Sequence, residues 1–288
     1  MWRNIMILVD LNQVMISNMM AQIGNHKNMP IDENMLRHMI LNTLRANRKK
    51  FNNDFGELVI CCDDKNYWRR KNFPYYKANR RKARTESELD WSAIFNALNN
   101  IRDEIKTYFP YRVIQIETAE ADDIIGTIVH HEGTLLNTGE PILVLSGDKD
   151  YIQLHKYANV KQYDPTRKRW ITHSSPEKYL CEHIIKGDTG DGVPNVLSAD
   201  NCLVVGERQR PITKKRLEGW QDINTMTEDV KRNYLRNKSL IDLEMIPDYI
   251  KDQIMDIWLN EPAKDRSQLL NYFIKNKLKN LMEVISEF

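Results

Sequence analysis

The chain predicts an α/β fold, a mostly parallel sheet with helices on both faces, followed by a smaller α-helical subdomain. Three observations carry this expectation. Short β-rich apolar runs alternate with helical periodicity through the first part of the chain, as in doubly wound sheets. Three of those runs lead into an aspartate: Ile5-Met-Ile-Leu-Val into Asp10, Leu58-Val-Ile-Cys-Cys into Asp63, and Ile142-Leu-Val-Leu-Ser-Gly into Asp148. Beyond about residue 175 the strand signals fade and helical patterns take over, punctuated by Gly187, Gly192, Pro211, Pro247 and Pro262.

In chain order, a strand at about 5–9 is followed by a helix near 31–50, where Met35, Leu36, Met39, Ile40 and Leu44 keep helical spacing. A second strand is expected at 57–62, then a basic segment and a helix from Asp90 to Tyr108. Val113, Ile114 and Ile116 mark a third strand, and Ala119–His131 a helix. The fourth strand is 142–146. A shorter one at 159–163 turns at Asp164-Pro-Thr toward Trp170-Ile. The boundaries expected are 1–174 for the sheet domain, with a basic segment at about 65–90, and 175–288 for the helical subdomain. Near the end, Leu269, Leu270, Phe273, Ile274, Leu278, Leu281, Met282 and Ile285 read as one side of a single amphipathic helix packed on the core.

A net charge of +2 over 288 residues says little about partners. The four cysteines, Cys61, Cys62, Cys181 and Cys202, show no C-x-x-C pairing and read as reduced thiols. No apolar stretch reaches membrane-span length, and the start is too short for a signal peptide. A soluble, cytoplasmic monomer is the expectation.

The acids carry the chemistry. Asp10, Asp63, Glu120-Ala-Asp122-Asp123, Asp148-Lys-Asp150 and the Asp188, Asp191 pair fall where a parallel sheet brings its carboxyl ends together. Each alone has an ordinary explanation; Glu120 to Asp123, for instance, opens a helix, where acids are favoured by the unpaired N–H groups. Glu120 and Asp123, spaced i, i+3, are expected to share a face, with Asp122 directed elsewhere. Together the groups point to hard cations held by carboxylates, Mg²⁺ first, and a pair of such ions suits in-line phosphodiester hydrolysis. The seven histidines show no H-E-x-x-H and no zinc spacing, and read as surface or packing residues.

Between Lys65 and Arg84 stand nine Lys or Arg and no acid, interleaved with Tyr67, Trp68, Phe73, Tyr75 and Tyr76. Rings alternating with cations suit stacking on bases and tracking phosphates. With many like charges and few apolar anchors, the segment is expected to be mobile without nucleic acid.

Several strings now match a known pattern: Tyr67-Trp-Arg-Arg, Tyr75-Tyr-Lys-Ala-Asn-Arg80 with Lys82-Ala-Arg84, Glu120-Ala-Asp-Asp123, Ser146-Gly-Asp-Lys-Asp150 leading to Gln153-Leu-His-Lys-Tyr157, and Lys186-Gly-Asp-Thr-Gly-Asp191. Leu240-Ile-Asp-Leu-Glu-Met-Ile-Pro-Asp248 and Ser286-Glu-Phe288 extend the likeness over essentially the whole chain. The sequence resembles the structure-specific 5′ nucleases, the flap endonuclease group, and most closely the ribonuclease H branch of T-even bacteriophages. The resemblance implies a PIN-like nuclease domain joined to a helical DNA-binding subdomain. It implies Mg²⁺-dependent 5′→3′ exonuclease and flap endonuclease action that releases RNA primers and adjacent DNA from lagging-strand fragments. Two Mg²⁺ ions are implied, with Mn²⁺ able to substitute. One lies among Asp10, Asp63, Glu120, Asp122 and Asp148, and the second near Asp150, Asp188 and Asp191, with Asp123 in an outer shell. The basic segment matches an arch in which Lys77 and Arg80 hold the scissile phosphate, assisted by Arg69, with Arg70, Tyr76 and Lys82 also on the nucleic acid. The implied partners are branched or RNA-primed duplex DNA with a 5′ end, and also a sliding clamp and a single-strand-binding protein.

The glycine-rich duplex-gripping hairpin of many cellular members is missing from Gly192–Gly206, so Lys214, Lys215 and Arg216 are left to supply charge there. Gly192 stands where many relatives carry Asn. Two other readings are weaker. A PIN-type toxin ribonuclease is usually much shorter, and a non-catalytic fork-binding protein would have lost acids that are all present here.

Overall fold

The computed structural model describes residues 6–25, 32–133, 139–261 and 264–288. Ile5, Ile31 and Pro262, each used in the sequence expectations, lie outside them.

Strand β1 (Met6–Asp10) runs straight into α1 (Leu11–Asn25), a helix the sequence reading did not anticipate. Leu11, Val14, Met15 and Met19 do keep helical spacing and are buried. They abut the strand without a separate cap residue, because Asp10 takes that part. Its Oδ1 accepts from the Gln13 N–H at 3.0 Å, so one side chain ends the strand and caps the helix. Then come α2 (Glu33–Phe55), β2 (Glu57–Cys62), α3 (Trp68–Asn72), α4 (Ala78–Thr85), α5 (Trp91–Tyr108), β3 (Arg112–Gln115), α6 (Ala121–His131), β4 (Ile142–Leu145), β5 (Val160–Asp164) and β6 (Arg169–Ile171).

The strands form one sheet in the order β3-β2-β1-β4-β5-β6, parallel except for the β5–β6 hairpin. Chain order reverses between β1 and β4, and a crevice at such a switch point, at the carboxyl ends of the strands, is where α/β sheets bind ligands. Side chains alternate across the sheet. Ile7, Val9, Leu58, Ile60, Leu143 and Leu145 face a core with α1, α2 and α5, while Met6, Leu8, Val59, Cys61, Ile142 and Val144 face one with α6. Both faces are buried, which explains why these strands read as continuous apolar runs.

After the sheet come α7 (Pro176–Lys186), α8 (Cys202–Val205), α9 (Lys214–Gly219), α10 (Glu228–Ile241), α11 (Asp248–Asn260), α12 (Leu269–Lys275) and α13 (Lys279–Met282). This helical half folds back onto the sheet domain. Ile250 and Ile254 of α11 join the α6 face, and Leu269, Phe273, Leu281 and Phe288 join the opposite one. The expected single terminal helix is broken. Lys277 adopts φ 55°, and the Leu278 N–H bonds Phe273 O (2.9 Å) while the Lys277 N–H bonds Ile274 O (3.1 Å). This is a Schellman stop. It turns Leu278 and Leu281 inward and leaves Leu270 and Ile274 exposed, so the expected stripe is only partly core.

Candidate metal centre

Asp10, Asp63, Glu120, Asp122, Asp148 and Asp191 line one cleft of about 460 Å³ with Lys77 and Arg80. Asp10 ends β1, Asp63 follows β2, Asp148 follows β4, Glu120 and Asp122 stand at the start of α6, and Asp191 lies on the loop after α7. A neighbouring cleft is lined by Asp148, Asp150, His183 and Asp188. Asp148 thus borders both clefts, and Asp191 faces the first.

The carboxylates of Asp10, Asp63 and Asp122 are held by neighbours that sequence reasoning did not single out. The Asn12 Nδ2–H donates to Asp63 Oδ2 (2.7 Å), and the Ala121 N–H to Asp63 Oδ1 (2.7 Å). The Ser146 hydroxyl donates to Asp10 Oδ2 (3.2 Å) and accepts from the Asp148 N–H (3.1 Å). Gln13 Oε1 accepts from the Gly147 N–H (2.9 Å), and the Tyr151 hydroxyl donates to Asp122 Oδ1 (2.6 Å). Ser146 and Tyr151 flank the aspartates of the Ser146–Asp150 string, and Asn12 and Gln13 stand two and three residues after Asp10; proximity to an aspartate was the only signal available.

The start of α6 differs from the expected arrangement. Asp122, not Asp123, faces the cleft alongside Glu120. Asp123 is fully buried and closes a capping box, its Oδ2 accepting from the Glu120 N–H at 2.9 Å. It also accepts from Trp68 Nε1 (3.0 Å) and pairs with Arg69 (2.8 Å), so it ties the basic segment to the start of α6.

The basic segment is anchored, contrary to the expectation of few apolar contacts. Trp68, Phe73 and Tyr76 are buried, with Trp68 in the α6 core and Phe73 and Tyr76 in a third core with Ile184, Val193, Leu240 and Ile241. Arg69 is buried too; its Nε donates to Leu240 O (2.8 Å) and its Nη1 to Glu120 Oε2 (2.8 Å). The Tyr76 hydroxyl lies between Glu120 Oε2 (3.0 Å) and Asp191 Oδ2 (2.9 Å). Lys77 pairs with Glu120 and Asp191, and Arg80 with Asp191. The cations expected on phosphate are therefore lodged on the acids in this structure. Within the basic segment, α3 buries Trp68 and Arg69, whereas α4, carrying Arg80, Arg81, Lys82 and Arg84, buries no residue.

The basic segment rests on the Asp191 loop, where the Lys77 N–H bonds Asp191 O at 2.7 Å. Lys77 itself sits in the left-handed region, φ 55°. Gly192 has φ 74°, and a Cβ there would stand 2.9 Å from Tyr75 O. Asn tolerates such a φ but not that approach, so a seat this close is reserved for glycine.

Electrostatically the cleft is frustrated. Burial, with Asp63 and Asp148 nearby, pushes Asp10 up to about 7. Burial also lifts Asp63 to about 6, against the pull of Lys77. Burial and mutual repulsion raise Asp122, Asp148 and Asp150 as well. Glu120 is the exception: burial would raise it, but Lys77 and Arg69 outweigh that and hold it at about 2. Carboxylates gathered against their own repulsion, all-oxygen in the first cleft and open to water, are the donor set a hydrated divalent cation takes. Burial pushes the adjacent Cys62 thiol up to about 12, so it supplies no nucleophile.

Away from the clefts, Lys214 and Lys215 sit on α9 with Arg216, their helix packed through Leu217 and Trp220 against a fourth core around Ile185 and Val196. Both lysines are exposed and neither lines the acidic clefts. No described helix is long and apolar enough to cross a membrane, and all four cysteines are free.

Comparison with known proteins agrees with this geometry. Residues 6–182 match the family model of the 5′-3′ exonuclease N-terminal, resolvase-like domain, and residues 174–288 that of the T4 RNase H C-terminal domain. The ribonuclease H of Enterobacteria phage T4 is 35% identical over 98% of this chain and 95% of its own length. A 5′-3′ exonuclease of Buchnera aphidicola is 26% identical over 68% of this chain and 65% of its own. Among solved structures, the bacteriophage T5 flap endonuclease in a complex with DNA and metal ions superposes with a TM-score of 0.63 at 18% identity, covering 88% of this chain and 97% of that one. That last likeness carries the PIN-like fold. The chain, a phosphodiester-hydrolysing nuclease, belongs to the 5′-3′ exonuclease family in the branch of phage T4 ribonuclease H.

Proposed function

We propose that the chain is a Mg²⁺-dependent 5′→3′ exonuclease and flap endonuclease that removes RNA primers and adjacent DNA from lagging-strand fragments during phage DNA replication. One observation carries the reading: carboxylates from five separate chain segments line a single cleft at the sheet's switch point, beneath an arch that brings Lys77 and Arg80 to it. The name of the T4 relative and the DNA and metal ions in the T5 complex support it.

Asp10, Asp63, Glu120, Asp122 and Asp148 would hold one cation, and Asp150 and Asp188 a second; Asp191, expected beside the second, lines the first cleft. When bound, such ions supply a deprotonated water and stabilise the leaving oxygen of an in-line displacement. The chain supplies position and charge. Lys77 and Arg80 exchange Glu120 and Asp191 for the scissile phosphate, and Arg70 with the exposed α4 cations, Lys82 among them, guides the 5′ strand. Arg69 and Asp123 hold the arch root rather than the substrate. Lys214 and Lys215 grip duplex phosphates from the helical half, so binding falls steeply with salt and ignores base sequence. A sliding clamp and a single-strand-binding protein are partners this role would use.

Cleavage of a 5′-labelled RNA-primed duplex and a 5′-flap DNA, with Mg²⁺, with Mn²⁺ and with EDTA, tests the proposal. Short products from the 5′ end that require the metal are expected. Tight binding of both substrates with no cleavage in either metal would replace it with a non-catalytic fork-binding role.

A further inference from the structure

The cleft beside the all-oxygen site contains a nitrogen. His183, in the last turns of α7, places Nδ1 3.4 Å from Asp150 Oδ1 and Nε2 3.7 Å from Asp188 Oδ2. One ligand atom from each of Asp150, His183 and Asp188 lies within 4.8 Å of the others, the one group of three such donors this close among the described residues. We propose that His183 is a ligand of the second cation, so that this site takes Mn²⁺ or another nitrogen-binding divalent ion in preference to Mg²⁺. The inference rests on the two-cation reading above and deepens it at one residue.

Several details favour ligation over a plain ion pair. Both separations exceed the 2.7–3.2 Å of a good hydrogen bond. Donors about 2.1 Å from one ion, at 90–110° to each other, stand roughly 3.0–3.5 Å apart, close to the His183–Asp150 spacing. The two carboxylates also have an oxygen to offer. Asp188 Oδ1 is engaged by the Asp191 N–H (3.1 Å), which leaves Oδ2 toward the ring. Among the described residues, no side-chain donor other than His183 pairs with Asp150.

The fold builds the arrangement. Tyr179, one turn earlier on α7, packs edge-on against the imidazole at 5.8 Å and sets its plane. At the end of the helix Gly187 takes φ 68°, and a Cβ there would lie 2.5 Å from Val193 O; this turn brings Asp188 back beside His183. Lys186, the nearest helix cation, is engaged by Glu182 at 2.8 Å. Among the described residues no histidine lines the first cleft, so the two sites differ in kind. Imidazole favours first-row transition ions over Mg²⁺, with Mn²⁺ at the weak end of that series, whereas a carboxylate-and-water set suits Mg²⁺ and Mn²⁺ alike.

Pulsed EPR of the full chain loaded with Mn²⁺, together with Mn²⁺ and Mg²⁺ titration calorimetry, tests this without an activity readout. The expected result is two bound Mn²⁺ ions, one showing ¹⁴N coupling from a directly bound imidazole. In His183→Gln the coupling should disappear and the weaker Mn²⁺ affinity should fall by about tenfold or more, with Mg²⁺ affinity little changed. The wild-type spectrum carries the test even if the variant folds poorly, and ¹⁵N-histidine labelling verifies the source. Two bound Mn²⁺ ions without nitrogen coupling would overturn the role of His183 and leave the two-cation reading standing. One bound ion without coupling would overturn both.

Discussion

Asp10→Asn should make the metal-free protein more stable while abolishing cleavage. Asp10 is buried, and burial with Asp63 beside it raises it from 3.8 to about 7. Between those two values the folded chain keeps a proton that the unfolded chain has lost, so stability falls as pH rises through that window. Above pH 7 both states are ionised and the penalty is complete. At about 1.4 kcal/mol per pKa unit, a rise of roughly three units amounts to about 4 kcal/mol. Asp63 and Asp148 also repel Asp10, and part of that repulsion is shared with them, so about 2–4 kcal/mol should return on neutralisation. This is a large fraction of the 5–15 kcal/mol typical of a domain. Asn keeps an oxygen for the Gln13 N–H and a group for Ser146, so the helix cap survives. Urea melts in EDTA at pH 5, 6, 7 and 8 should show wild-type stability declining with pH and the variant's declining less. Excess Mg²⁺ should stabilise the wild type more than the variant. A variant no more stable than wild type at pH 8 in EDTA would refute the reasoning that the cleft is held together against its own charge.

Asp148→Asn should lower cleavage by about 10²-fold or more while leaving DNA affinity within a few-fold, since its carboxylate borders both clefts; unchanged turnover at saturating Mg²⁺ would rule this out. Lys77→Ala should slow single-turnover cleavage by about 10–10²-fold, more than it weakens binding, and an unaltered rate would remove its role at the phosphate. Arg69→Ala should cost about 3–5 kcal/mol, because it leaves Glu120 and Asp123 short of a buried partner; a variant as stable as wild type in urea would mean that the pair is not structural. In hydrogen exchange of the free protein, the anchored stretch 68–77 should exchange slowly and α4 fast. Uniformly fast exchange across both would restore the expectation of a mobile arch.

The local sequence was enough to place the strands and most of the acids. Alternate residues of β1, β2 and β4 are all apolar because both sheet faces are covered, and such runs are visible one residue at a time. An aspartate at the end of a buried parallel strand has only the crevice to face, which is why Asp10, Asp63 and Asp148 could be gathered before any coordinates. The resemblance carried by strings such as Glu120-Ala-Asp-Asp123 added the family. Tertiary structure decided the partners. A helix-opening triad of acids can direct either Asp122 or Asp123 into a cleft, and only Trp68 and Arg69, more than fifty residues away, draw Asp123 inward. A basic run with aromatics reads as an open surface until its rings find a third core supplied by Leu240 and Ile241 of a distant helix. His183 shows no metal spacing along the chain, because Asp150 and Asp188 come to it from two different loops. Strand patterns are written locally, in the period of the backbone; pairings between charges depend on which segments the fold brings within a few ångströms.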